Sequence, residues 1–157
     1  MDTWPAVGAD IWSELVRFPG RVALLVDDRA LHVARRFAEL RGTTPLHVGR
    51  TLSAFPSVPT ESQIRTSLFE APVLVGTSIL FDPVLGLDAA RLFRALATQH
   101  PGRVIEWPIS TGSSPFRWPG EDGFRAVPPA LEGSLLLTAR STVFDDEVPF
   151  TLERLHR

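Results

Sequence analysis

The chain contains no lysine, cysteine, asparagine or tyrosine. Without cysteine it can form no disulfide, no thiolate nucleophile and no Cys-ligated zinc site, and this composition fits a reducing cytoplasm. Without lysine it has no ammonium group for a Schiff base or for the phosphate-binding loop of a P-loop ATPase. We therefore expect neither P-loop ATP hydrolysis nor any chemistry that needs a thiol.

Long apolar runs and a strong net charge are also missing. The first residues show no basic segment followed by an apolar one, and no run is long enough for a membrane span, so we expect neither a signal peptide nor membrane contact. The net charge of −2 gives no general attraction to nucleic acid, although local arginine clusters leave such a contact open. A length of 157 residues with 44% hydrophobic side chains predicts one cytoplasmic domain, residues 1–157, with a core of its own.

Short apolar runs that are typical of buried strands alternate with segments of helical periodicity. The predicted strands cover 22–26, 46–48, 71–75, 103–107 and 135–138, and the region 150–155 fits either a strand or a helix. Four helices are predicted, each opened by a capping side chain: Asp10, Asp28, Thr60 (in a capping box with Gln63) and Asp88. This alternation predicts an α/β fold with a mostly parallel sheet and helices on both faces.

The segment 108–130 is long for a loop in a compact domain and is rich in Gly, Pro and Ser. It places arginines among aromatic rings, which are side chains that anchor protein interfaces and also stack on nucleic-acid bases. The alternative is that the rings fold back onto the edge of the sheet. The candidate partner-binding residues in this segment are Phe116, Arg117, Trp118, Phe124 and Arg125.

Residues 27–34 occupy the place of a phosphate-binding loop, between the first core strand and the next helix. Such a loop needs glycines so that the backbone can wrap a phosphate, a lysine to neutralise it and a hydroxyl for magnesium. The residues here read DDRALHVA, with no glycine, lysine or hydroxyl, and the two aspartates would repel a triphosphate. The sequence therefore predicts no nucleotide cofactor.

The adjacent acids Asp27 and Asp28 allow three interpretations. They resemble the magnesium-binding pair of response-regulator receiver domains, but the phosphoacceptor aspartate and the lysine of a working receiver are missing, which leaves a pseudo-receiver signalling domain with strand order 2-1-3-4-5. A metal-dependent enzyme could use the pair together with His32. In the plainest interpretation, Asp27 ends the strand and Asp28 caps the helix.

Two common catalytic signatures are absent from the sequence. The four histidines lie apart without HExxH spacing, and we expect them at the surface or at helix caps. No serine of the segment 108–130 lies in a GxSxG motif. The sequence therefore predicts no catalytic residue and no metal ligand set of these types.

The residues from Gly76 onward resemble a known family. The run GTSILFDP at 76–83, followed by LGLD at 85–88 and RLF at 91–93, is similar to the central motif of BrxF. BrxF is the small P-loop-containing protein of BREX bacteriophage-exclusion systems. Trp107-Pro108 and Phe124-Arg125 resemble later parts of the family pattern, so the resemblance spans about residues 21–128 and implies a P-loop-NTPase-like fold.

The departures from that family concern its nucleotide site. The family's GxxGxGK[ST] loop would correspond to residues 27–34, which puts Val33 in place of the lysine and Ala34 in place of the Ser/Thr. The Walker B acid would fall near Val75 or Gly76, and neither is acidic. The resemblance therefore implies a degenerate P-loop scaffold without ATPase activity.

What the resemblance implies about function is a role in assembly. We expect a non-catalytic accessory subunit of a bacterial anti-phage defence system that binds protein partners, such as a larger AAA+ ATPase of the same operon. The expected contact sites are the segment 108–130 and the turn formed by Phe81, Asp82 and Pro83.

Overall fold

The computed structural model describes residues 3–26, 30–108, 129–140 and 147–155. The helices in these ranges are α1 (Trp4–Arg17), α2 (Ala30–Leu40), α3 (Val48–Ser53), α4 (Glu61–Leu68) and α5 (Ala89–Gln99). The strands are β1 (Ala23–Val26), β2 (Leu46–His47), β3 (Val73–Val75), β4 (Val104–Glu106), β5 (Leu135–Ala139) and β6 (Phe150–Arg154). Short 3₁₀ helices cover Thr77–Phe81, Pro83–Leu85 and Pro129–Leu131. None of the helices in the described ranges is long and apolar enough to cross a membrane.

The strands form one sheet in the order β2-β3-β4-β1-β5-β6. Strands β1 to β5 are mutually parallel, and β6 pairs antiparallel with β5 at one edge. The predicted α/β fold with a mostly parallel sheet is therefore confirmed, and the region 150–155 forms a strand. The order differs from the 2-1-3-4-5 order that the pseudo-receiver interpretation requires, so we do not carry that interpretation forward.

Alternate residues of the central strand β1 face two separate cores. Leu24 and Val26 pack in one core with side chains of α3, α4 and α5, whereas Ala23 and Leu25 pack in the other with side chains of α1 and α2. Because β1 is covered on both faces, it needs apolar side chains at every position, which explains its unbroken apolar run. The prediction of helices on both faces of the sheet is confirmed.

Helix α1 begins earlier than the sequence pattern predicts. It starts at Trp4 with Pro5 in its first turn, where the missing N–H of proline removes no helical hydrogen bond. Asp10, the predicted N-cap, lies inside the helix and is exposed. That prediction is wrong because Trp4, whose ring packs 4.9 Å from the Phe37 ring, extends the buried face of the helix towards the N-terminus.

Two later helices begin at their predicted caps. At α4, the backbone N–H of Gln63 donates to Thr60 Oγ1 at 3.2 Å, and the backbone N–H of Thr60 donates to Gln63 Oε1 at 2.9 Å, so the capping box is confirmed. At α5, the backbone N–H of Arg91 donates to Asp88 Oδ1 at 3.2 Å. These caps fix where α4 and α5, two of the helices that cover one face of the sheet, begin.

A buried arginine closes the amino end of the sheet. Arg103 precedes β4, is 0% exposed and donates hydrogen bonds to backbone carbonyls of three segments. Two of these carbonyls lie at the C-terminal end of α4, where carbonyls have no partner within the helix. Burial lowers the pKa of Arg103 to about 10, so its guanidinium remains charged at neutral pH. The accepting carbonyls are those of Leu68, Phe69, Ala71 and His100.

Candidate functional site

The neighbouring strands β1 and β4 are followed by elements that pack on opposite faces of the sheet. After β1 the chain passes along α2 on one face, whereas after β4 it reaches the 3₁₀ helix Pro129–Leu131, which packs on the other face. In open α/β sheets, ligands bind in the crevice that such a reversal leaves at the carboxyl ends of the strands. The fold therefore places the candidate site at the carboxyl ends of β1, β4 and their neighbour β3.

The connection from β1 to α2 is short. Strand β1 ends at Val26 and α2 begins at Ala30, so three residues separate them. Val33, in the position that the family resemblance assigns to the P-loop lysine, is 1% exposed and packs in the core beneath α2. A phosphate-wrapping loop over 27–34 does not fit this arrangement, because residues 30–34 are helical and the side chain of Val33 faces the core.

An acidic side chain reaches the end of β3 from the neighbouring strand. Glu106, the last residue of β4, accepts a hydrogen bond at Oε1 from the backbone N–H of Gly76, which follows β3, at 3.0 Å. The hydroxyl of the fully buried Thr77 donates to the Glu106 carbonyl at 2.5 Å. The family pattern puts the Walker B acid near Val75 or Gly76. An acid does lie beside Gly76, but it belongs to β4. The sequence signal for Glu106 is that it alone is charged within the apolar strand β4.

The imidazole of His47 lies beside the backbone of Gly76. Its Nδ1 accepts a hydrogen bond from the backbone N–H of Arg50 at 3.1 Å, so His47 caps α3, as expected of a histidine at a helix end. Gly76 has φ of 61°, and a Cβ there would lie 2.4 Å from Cε1 of His47. Position 76 therefore needs glycine both for its backbone conformation and for the space that the ring takes. We call His47, Gly76, Thr77 and Glu106 together the carboxyl edge.

The predicted contact turn lies next to the end of β4. Phe81 is half-buried, and its ring packs edge-on against that of Trp107, with 4.9 Å between the ring centroids. Asp82 Oδ1 accepts the backbone N–H of Val84 at 3.0 Å and caps the 3₁₀ helix Pro83–Leu85. Asp82, Pro83 and Val84 are exposed. Phe81 thus anchors the turn to the sheet, while the next three side chains face solvent.

The remaining predicted residues stay predictions. Asp27, Asp28, Phe116, Arg117, Trp118, Phe124 and Arg125 lie outside the described residues. His32 is exposed on α2. Within the described ranges, no group of three or more His, Cys, Asp or Glu side chains is arranged to hold a metal ion.

Comparison with known proteins identifies no relative. No family model, no curated protein and no solved structure matches this chain. The resemblance to BrxF therefore rests on the sequence motifs alone.

Proposed function

We propose that this protein is a non-catalytic accessory subunit of a bacterial anti-phage defence system of the BREX type, a degenerate P-loop scaffold that binds protein partners. The observation that carries the proposal is the start of α2. The described helix starts at Ala30 and buries Val33, where a P-loop ATPase needs an exposed lysine. The expected partner is a larger AAA+ ATPase encoded beside it.

The strand order supports the scaffold part of this proposal. In the RecA-like and AAA+ branch of P-loop ATPases, β1 lies between β4 and β5 and β2 lies at the edge, and the described strands follow that order. The β1–α2 junction of such a fold is where nucleotide phosphates bind. In this proposal, the core side chain of Val33 at the lysine position prevents nucleotide binding. The outer surfaces of the scaffold remain available to protein partners.

The turn from Asp82 to Gly86 supports protein binding. Pro83 fixes its own φ, Asp82 caps the turn, and Gly86 ends it with φ of 60°. Val84 is 66% exposed at its tip, the largest exposure among the large hydrophobic side chains of the described residues. A rigid turn that presents an apolar side chain loses little conformational entropy when a partner covers it. Val84 is therefore the residue through which this surface is best tested.

The experiment is co-expression with each neighbouring gene product of the operon, followed by co-purification. We expect the large ATPase to co-purify with the wild-type chain, and Val84→Glu to weaken that complex by about tenfold or more, because the charge would have to be desolvated in the interface. Val58→Glu is the matched control, since Val58 is 56% exposed in the loop before α4. A chain that binds none of its neighbours would overturn the proposal, and equal binding by both variants would overturn the role of the turn.

One observation keeps a metal-dependent enzyme as the second candidate. Glu106 ends β4 beside β1, and the next residues after β1 are Asp27 and Asp28. Carboxylate oxygens are ligands that suit Mg²⁺ and Mn²⁺, so Glu106 is the described residue through which this candidate is tested. Thermal unfolding with Mg²⁺, Mn²⁺ and Zn²⁺ tests this candidate: stabilisation that Glu106→Gln removes would favour the enzyme, and no stabilisation by any of the three would exclude it.

A further inference from the structure

A cavity of about 390 Å³ lies alongside the edge strand β2 and is separate from the proposed contact turn. Its charged lining consists of Arg35 and Glu39 on α2 and Arg50 on α3, and His47 also faces it. Two guanidinium groups against one carboxylate give the cavity an excess positive charge. Its wall also contains the apolar side chains of Leu31, Pro45 and Val75.

His47 is held in a defined orientation and tautomer in this wall. Because its Nδ1 accepts the backbone N–H of Arg50, the neutral imidazole carries its proton on Nε2. The ring is also fixed from the other side, where it packs over Gly76. No described residue pairs with Nε2, so this N–H is a preorganised donor that the described part of the chain leaves unused.

The two arginines are not used by the fold. Arg35 and Arg50 are exposed, and neither forms an ion pair with a described residue. Arginines that serve the fold in this protein look different. Arg103 donates to four backbone carbonyls, and Arg154 donates to Glu14 at 2.7 Å. Guanidinium groups left unpaired beside an oriented imidazole N–H are the donor set that recognises phosphate oxygens.

We propose that this cavity binds a small phosphomonoester, with the phosphate held by Arg35, Arg50 and the Nε2–H of His47. The volume exceeds that of a phosphate group, and the ligand's apolar body packs against Leu31 and Val75. The site lies along α2 and the edge strand, so it does not depend on the phosphate loop that the chain lacks. It would make this scaffold a sensor of a small anionic metabolite rather than of a nucleoside triphosphate.

The test uses phenyl phosphate as the probe, with inorganic phosphate and benzyl alcohol as the two partial probes. The imidazole resonances of the four histidines are followed by NMR, with His47→Gln used to assign the signal of His47. We expect phenyl phosphate to shift the His47 signal and to leave that of His100 unchanged, because His100 lies at the opposite end of the sheet and stacks on Phe69. Inorganic phosphate should bind more weakly, and benzyl alcohol should not bind.

Charge variants separate a built site from general attraction to a basic surface. Arg35→Gln and Arg50→Gln should each weaken binding about tenfold or more, since each removes a charge-assisted hydrogen bond. Glu39→Gln should strengthen binding, because it removes the one carboxylate that the described residues contribute to the lining. Arg91→Gln, an exposed arginine on α5 across the sheet, should have no effect. An unmoved His47 signal, or an Arg91→Gln effect equal to that of Arg35→Gln, would overturn the proposal.

Discussion

The two ends of the parallel sheet differ in how completely their polar side chains are hydrogen-bonded. At the amino end, Arg103 is completely buried and its guanidinium donates to carbonyls of its own chain. At the carboxyl end, His47 and Glu106 are half-buried, and each uses only one of its two polar side-chain atoms in a described hydrogen bond. Among the described residues, the amino end is therefore satisfied internally, whereas the carboxyl end keeps unused hydrogen-bonding capacity.

This difference separates stability from function along one sheet. Buried polar groups that are fully paired contribute to the folded state and leave nothing for a ligand. Half-buried groups with an unused donor or acceptor contribute less to folding and are available to a ligand. The same sheet thus has one end that holds α4 to the strands and another that faces the proposed ligand and partner surfaces.

The largest expected effect comes from placing a lysine where a P-loop would have it. Val33→Lys should lower the free energy of unfolding by more than about 4 kcal/mol, because the ammonium group would lie in the apolar core. His32→Lys is the control in the same helical turn, and as an exposed position it should change the stability by less than about 0.5 kcal/mol. Urea denaturation measures both. A Val33→Lys protein of unchanged stability would mean that position 33 faces solvent and a ligand site.

Removing the charge at the amino end should have the next largest effect. Arg103→Met leaves buried carbonyls without donors and should lower the free energy of unfolding by about 3–4 kcal/mol. Arg94→Met is the control: Arg94 is exposed, and its single hydrogen bond to the Ala130 carbonyl at 3.4 Å is long. Chemical denaturation compares the two variants. Equal losses would contradict a special role for the buried guanidinium.

Adding a methyl group at the carboxyl edge, by Gly76→Ala, should lower the free energy of unfolding by a smaller amount. Gly76→Ala places a non-glycine residue at φ of 61° and brings a Cβ against His47, so we expect a loss of about 2 kcal/mol. In the double variant Gly76→Ala with His47→Ala, the steric part of that loss should disappear. A thermodynamic cycle over the four proteins measures it, and strictly additive losses would show that the ring does not cover Gly76.

Alkaline pH should change the stability least, and the change should be an increase. Burial lowers the pKa of Arg103 to about 10 in the folded protein, below its value in the unfolded chain, so between the two pKa values the unfolded chain binds more protons and stability rises with pH. The absence of lysine, tyrosine and cysteine leaves few other groups to titrate in this range. Urea midpoints at pH 9 and 11 test the rise, and Arg103→Lys should move it to lower pH. A fall in stability over that range in the wild type would contradict the sign.

Local patterns predicted much of the fold because each feature lies within a few neighbouring residues. The apolar run of β1 and the capping box of Thr60 and Gln63 belong to this class. Asp10 was misassigned because the packing of Trp4 on Phe37, far apart in sequence, decides where α1 starts. Patterns among neighbouring residues therefore predict that a helix or strand exists better than they predict where it begins and ends.

The candidate site was harder to predict because it is assembled from separate strands. Glu106 accepts a hydrogen bond from Gly76, which lies 30 residues earlier in the chain. Arg103 donates to the carbonyls of Leu68 and Ala71, which are also far from it in sequence. The family pattern predicts an acid directly after β3, whereas the acid that lies beside Gly76 belongs to β4. Strand order is what brings these residues together, and no pattern within a strand encodes it.

The most direct test of the central claim, that a P-loop-type scaffold has lost its nucleotide site, is calorimetric titration of the purified chain with ATP and Mg²⁺. We predict no binding, for the wild type and for Glu106→Gln alike, because residues 30–34 are helical and Val33 is in the core. Saturable binding of Mg²⁺–ATP to the wild type would contradict the claim.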